Sequence, residues 1–129
     1  MEVLILKTIP QISEAELEVM KILWKLKSCT STQIIERLAE VSDWKPKTIH
    51  TLITRLVSKE AVSAVKIDGK SYLYSPGVSE EEYKRYANQS FLHKLYNGSL
   101  NLMLASFIKE QHLSKSEIEE LKKMLDEEM

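Results

Sequence analysis

After residue 60 the apolar residues of this chain change period. Before that point they recur at three- and four-residue spacing, the stripe of a helix face. Beyond it two short runs, VSAVKI and SYLYSP, flank the tripeptide DGK. Asp-Gly between runs of this kind is a strong hairpin signal. Two strands are therefore expected at about 63–67 and 71–75, and Pro76-Gly77 ends this half of the chain.

Three helices are expected ahead of the hairpin. Ser13 opens a Ser-x-x-Glu capping box with Glu16. The helix it starts, at about 14–26, turns Val19, Met20, Ile22, Leu23 and Leu26 inward. The Ser/Thr-rich break SCTST precedes a second helix near 32–41, with Ile34, Ile35, Leu38 and Val41 inward. SDWKP breaks that one in turn. Pro46 suits the first turn of a third helix, where a missing N–H costs nothing, and this helix runs to about Lys59. Its stripe is Ile49, Leu52, Ile53, Leu56 and Val57.

The opposite face of the third helix carries Lys47, Thr48, His50, Thr51, Thr54 and Arg55, with no acid among them. Exposed helix faces more often show Glu, Lys and Gln, the better helix formers. The net charge of the 129-residue chain is only −1, so a basic site must be local. It is local: residues 44–74 hold six Lys/Arg against two Asp/Glu.

Three helices followed by a hairpin is the order of a winged helix-turn-helix, in which the third helix enters the DNA major groove and the wing touches the backbone. Acidic side chains are repelled from such a face by phosphate. Threonine offers a short hydroxyl to phosphate or base and a methyl to the thymine methyl, and Lys47 and Arg55 suit phosphate or guanine. Lys66 and Lys70 on the wing would neutralise phosphate. Double-stranded DNA is the expected partner.

Beyond residue 77 the pattern is helical again. Ser79 caps a long helix, Asn97-Gly98 stops it, a second follows, and Ser114 with Glu117 caps a third. A segment of this length rarely supports its own core. Yet it carries Tyr86, Phe91, Leu92, Leu95, Leu100, Leu104, Phe107, Leu121 and Leu125. The simplest partner surface is a second copy, giving a two-fold dimer that reads an inverted repeat, with packing back on the N-terminal domain as the alternative. The expected fold class is thus mostly α (α+β): a winged helix-turn-helix domain over 1–76, then a three-helix dimerisation region over 77–129.

Other classes fit poorly. Apolar residues make up 43% and charged residues 29% of the chain, and VLIL at 3–6 is too short to span a bilayer. No membrane insertion and a cytoplasmic location are expected. The lone Cys29 allows neither an intrachain disulfide nor a cysteine metal site. His50, His93 and His112 share no metal spacing, and Glu80, Glu81 and Glu82 suit a helix start. There is no phosphate loop or nucleophile motif, so no catalytic residue, metal or cofactor is expected. Two rival readings are a winged-helix regulator switched by a small molecule held among the C-terminal helices, and a protein-interaction winged helix.

The stretches EAELEVMKILW, DWKPKTIHTLITRLVSKE and FLHKLYNGS, with LMLASFIKE and LSKSEIEELKKML, resemble the BlaI/MecI family of penicillinase repressors over about residues 11–127. The resemblance implies a winged-helix dimer that represses β-lactamase or resistance operons. It also implies relief by proteolysis, triggered by a membrane receptor with a cytoplasmic zinc-protease domain. The family's DNA-contacting helix maps onto Lys47, Thr48, His50, Thr51 and Arg55. The family's Asn-Phe cut in the dimerisation region corresponds to Ser106-Phe107, with Ser106 in place of Asn. His50 stands where this signature usually carries Arg. The copper-responsive relatives' C-terminal cysteine cluster has no counterpart here, which argues against copper sensing. The first ten residues lie outside the resemblance, as an extra strand or a loose arm.

Overall fold

Six helices and one antiparallel hairpin are found in a computed structural model that describes residues 9–111 and 113–128. The expectations for residues 1–8 and for His112 lie outside these. The order is α1 (Glu14–Leu26), α2 (Ser31–Ala39), α3 (Pro46–Ser58), β1 (Val62–Asp68), β2 (Ser71–Pro76), α4 (Glu80–Tyr96), α5 (Leu100–Gln111) and α6 (Lys115–Glu128). Among the described residues no helix is long and apolar enough to cross a membrane. The chain divides into two compact units, one ending at Lys84 and the other beginning at Arg85.

In the first unit α1 to α3 close over one core. Val19, Met20 and Leu23 come from α1, Ile34 and Leu38 from α2, and Ile49, Leu52, Ile53 and Leu56 from α3. Each such side chain, fully buried, stabilises the fold by about 2 kcal/mol. The start of α1 is fixed as the sequence indicates. Ser13 and Glu16 exchange both capping-box hydrogen bonds, at 2.9 and 3.1 Å. Thr30 and Gln33 do the same for α2, at 2.8 and 3.3 Å.

Val41 departs from expectation. It is 75% exposed. The second helix ends two residues earlier than its apolar spacing suggested, at Ala39. Val41 donates its N–H to Leu38 O in the turn that follows and has left the inward stripe.

The hairpin also shifts from expectation. Asp68 pairs with Ser71, so the turn narrows from the expected residues 68–70 to Gly69-Lys70. A register shift between Lys66 and Asp68 places one extra residue in β1, which is the geometry of a bulge. Only Val62 at the root of β1 is buried, so the rest of that strand projects from the core.

At the base of the wing, Cys29 and Tyr74 exchange backbone hydrogen bonds of 3.0 and 2.8 Å. The α1–α2 linker thereby adds one strand position to the edge of β2. Burial pushes the Cys29 thiol pKa up, against the pull of the Arg37 charge. The Trp24 indole donates to Val78 O at 2.9 Å and lies 5.8 Å from the Tyr83 ring, which ties the start of α4 to α1.

The second unit has no buried residue among those described. Phe91 lies 5.7 Å from Tyr96 and 6.5 Å from Phe107, ring to ring. Between α5 and α6 an open apolar cleft of about 320 Å³ is lined by Leu104, Phe107, Ile108, Leu121 and Met124, with Glu117 and Glu120 among its lining residues.

Candidate nucleic-acid interface

The chain enters α3 through Lys45, extended at φ −78° and ψ 153°, and Pro46. Proline's fixed φ suits the first helical position, and no side chain caps this end. Ile49, Leu52, Ile53 and Leu56 point into the core. The 3.6-residue period then turns Lys47, Thr48, His50, Thr51, Thr54 and Arg55 outward together, and all six are exposed.

The threonine hydroxyls are already engaged. Thr51 Oγ1 donates to Lys47 O at 3.1 Å, and Thr54 Oγ1 donates to His50 O at 2.9 Å. These are the one-turn back-bonds open to Thr within a helix. With the proton committed, each group retains its oxygen lone pairs and its methyl. It can accept from an amino group or pack against a methyl. A phosphate, which only accepts, would have to break the back-bond. The expected choice between phosphate and base therefore narrows toward base edges for these two residues.

The cations differ among themselves. Lys47, Arg55, Lys66 and Lys70 make no ion pair among the described residues and are exposed. Lys66 sits on β1 opposite Tyr72, and Lys70 in the turn. Lys59, which belongs to the same local basic excess, is used inward. Its Nζ donates to Glu16 Oε1 at 2.6 Å and to Gln11 O at 2.7 Å.

The end of α3 leads straight into the wing. Ala61 N–H donates to Leu56 O at 2.9 Å and Glu60 N–H to Val57 O at 3.0 Å. That pair of bonds is a Schellman motif, with Glu60 at φ +63° in the position glycine usually takes. Val62 is buried directly after it.

The residues singled out in the second unit are mostly outward in the single chain. Tyr86, Phe91, Leu95, Leu100, Phe107 and Leu125 are exposed, Leu95 by 63%. Leu92, Leu104 and Leu121 are half-buried. Ser106-Phe107 lies in the middle of α5, where the Tyr96 hydroxyl donates to Ser106 Oγ at 3.3 Å.

Sequence reading missed three features: the Lys59–Glu16 pair, the Cys29–Tyr74 bridge and the threonine back-bonds. Glu16 already had a local role in the capping box, and Lys59 lies 43 residues away. No local pattern couples them.

Three packed helices, a projecting hairpin and an acid-free exposed face on the third helix define a winged helix-turn-helix protein. The profile of the penicillinase repressor family matches residues 12–127, and the chain belongs to that family. It is 43% identical over 122 residues to the penicillinase repressor of Bacillus licheniformis, covering 95% of this chain and 94% of that one. It is 40% identical over 116 residues to the methicillin resistance regulatory protein MecI of Staphylococcus aureus (strain N315), covering 90% and 94%. Among solved structures it is similar to the monomeric form of Bacillus licheniformis BlaI in complex with the blaP half-operator. That match has a TM-score of 0.52 and 45% identity, over 60% of this chain and 94% of that one.

Proposed function

We propose that this chain is a homodimeric transcriptional repressor that binds an inverted-repeat operator of β-lactamase or other antibiotic-resistance genes. The exposed, acid-free face of α3 carries the reading. Its support from outside the chain is the similar BlaI structure bound to a half-operator. Lys47 and Arg55 supply charge to phosphate or guanine, Thr48, Thr51 and Thr54 supply methyls and acceptors, and Lys66 and Lys70 neutralise backbone from the wing. His50 adds a base-edge donor or acceptor where an Arg would add a fixed cation.

Residues 1–76 then form the DNA-binding domain and 77–129 the dimerisation region. A helical segment whose apolar side chains stay exposed in the single chain requires another surface to cover them, and a second copy of the same segment is one. Relief of repression comes from cleavage at Ser106-Phe107 by a membrane-bound zinc protease. The cleft between α5 and α6 favours a second reading, in which a small apolar ligand releases DNA without cutting the chain.

The test is titration of an inverted-repeat duplex at several salt concentrations. Affinity falls steeply with salt for the parent. Arg55→Ala and Thr51→Ala each weaken binding, by about 1–3 kcal/mol where the side chain reads a base. Unchanged affinity in both variants would sink the assignment of α3. A ligand that lowers affinity while the chain stays intact supports the second reading instead of cleavage.

A further inference from the structure

We infer that Lys59 is a positioning residue for the DNA-reading face: it locks α3 onto the start of α1 rather than contacting phosphate. The inference rests on the DNA-binding reading given above.

Lys59 is the C-cap of α3. Its ammonium spends two of its three donors on the segment that opens α1, at Glu16 Oε1 (2.6 Å) and Gln11 O (2.7 Å). Glu16 is almost wholly buried, with its side chain 3% exposed against 35% for Lys59. The same Oε1 accepts the Ser13 N–H at 2.9 Å. If Lys59 swung out to a phosphate it would strand this carboxylate in the core, and an unpaired buried charge is strongly destabilising. Among the described residues, Lys59 is therefore the one basic side chain between α3 and the wing whose charge is committed to the protein.

The commitment matters because of how α3 is otherwise held. Its N-cap has no side-chain hydrogen bond. Thr51 and Thr54 bond within the helix. Among the described residues, Lys59 is the one side chain of α3 or its caps that hydrogen-bonds another element. Ile49, Leu52, Ile53 and Leu56 set the distance of α3 from the core, but apolar burial is non-directional. A short charge-assisted hydrogen bond is directional and fixes the axial position. A binding constellation must be held to about 0.5 Å to keep its contacts, so the pair acts on operator affinity through Lys47, Thr51 and Arg55.

The experiment uses the full chain on an inverted-repeat duplex, with three variants: Lys59→Met, Lys59→Arg, and the double variant Glu16→Gln/Lys59→Met. Circular dichroism fixes a temperature at which each is folded. Affinity is read across a salt series. Lys59→Met weakens binding about tenfold and leaves the slope of log affinity on log salt unchanged. Lys59→Arg, which can donate to the same two acceptors, binds like the parent. The double variant removes the stranded charge while its amide keeps the Ser13 cap, and it is the one to read if Lys59→Met does not fold. It still binds about tenfold more weakly.

Three results overturn the inference: parent-like affinity in Lys59→Met, parent-like affinity in the double variant, or a slope reduced by about one, which marks a lost phosphate contact. A parent that binds no duplex in a salt-dependent way overturns the DNA-binding reading itself. A parent that binds while Lys59→Met or the double variant matches it overturns this inference alone.

Discussion

Lys59 Nζ stands 2.6 Å from Glu16 Oε1, joining the end of α3 to the first turn of α1. Burial pushes the Glu16 carboxyl pKa up. The hydrogen bond from Lys59, the Ser13 backbone N–H and the Lys59 charge outweigh it, and the net pKa is lowered. A carboxyl whose folded pKa is depressed adds stability above its unfolded pKa and loses it as pH falls through the folded value. Urea unfolding of the parent from neutral pH into the acid side of the glutamate range should therefore show falling stability. Glu16→Gln should flatten part of that fall. Parallel curves for the two would contradict the assignment.

Gly77 closes the root of the wing. Its N–H donates to Ala61 O at 2.7 Å, and a Cβ there would stand 2.6 Å from Glu60 O, a backbone atom that cannot swing aside. Gly77→Ala is expected to cost about 1–3 kcal/mol through backbone displacement, measured as a lower urea midpoint. A midpoint equal to the parent's would show that the close approach is not constraining.

Ser106-Phe107 is helical, whereas a protease takes its substrate extended. Cleavage there requires α5 to open locally. The Tyr96–Ser106 hydrogen bond, at 3.3 Å, opposes that opening. Tyr96→Phe removes a contact worth about 1 kcal/mol and should speed cutting several-fold. The assay is the rate of fragment appearance with a zinc endopeptidase that accepts Phe after the cut. Equal rates would mean that this bond does not hold the site closed.

Leu95 is 63% exposed on α4 although it is strongly apolar. If a second copy covers it, Leu95→Asp places a charge in that interface. Sedimentation at micromolar concentration should then give a dimer for the parent and a monomer for the variant. A monomeric parent would reject the dimer.

Much of the first unit was legible because its signals are local. Ser13 with Glu16, Pro46, and the stripes of α1 and α3 each depend on residues within two turns of one another. The third helix was read from its apolar stripe and its acid-free opposite face, and both hold in the fold. Errors came where a boundary depended on more than spacing. Val41 kept the apolar period after the helix had ended, and the bulge before Asp68 narrowed the turn to Gly69-Lys70. The Lys59–Glu16 pair and the Cys29–Tyr74 bridge join segments that only folding brings together. Side-chain rotamers are not written in residue type either, so the engaged state of the Thr51 and Thr54 hydroxyls appeared only with the helix built.

The outward face of α3, aided by the wing, is proposed to read operator DNA. Amide chemical-shift mapping of the isotope-labelled chain tests it most directly, with an inverted-repeat duplex added at moderate salt. Shifts should concentrate over residues 45–55 and at Lys66 to Lys70, with the buried stripe of α1 little changed. Shifts confined to α5 and α6, or none at a concentration where the duplex is bound, would contradict it.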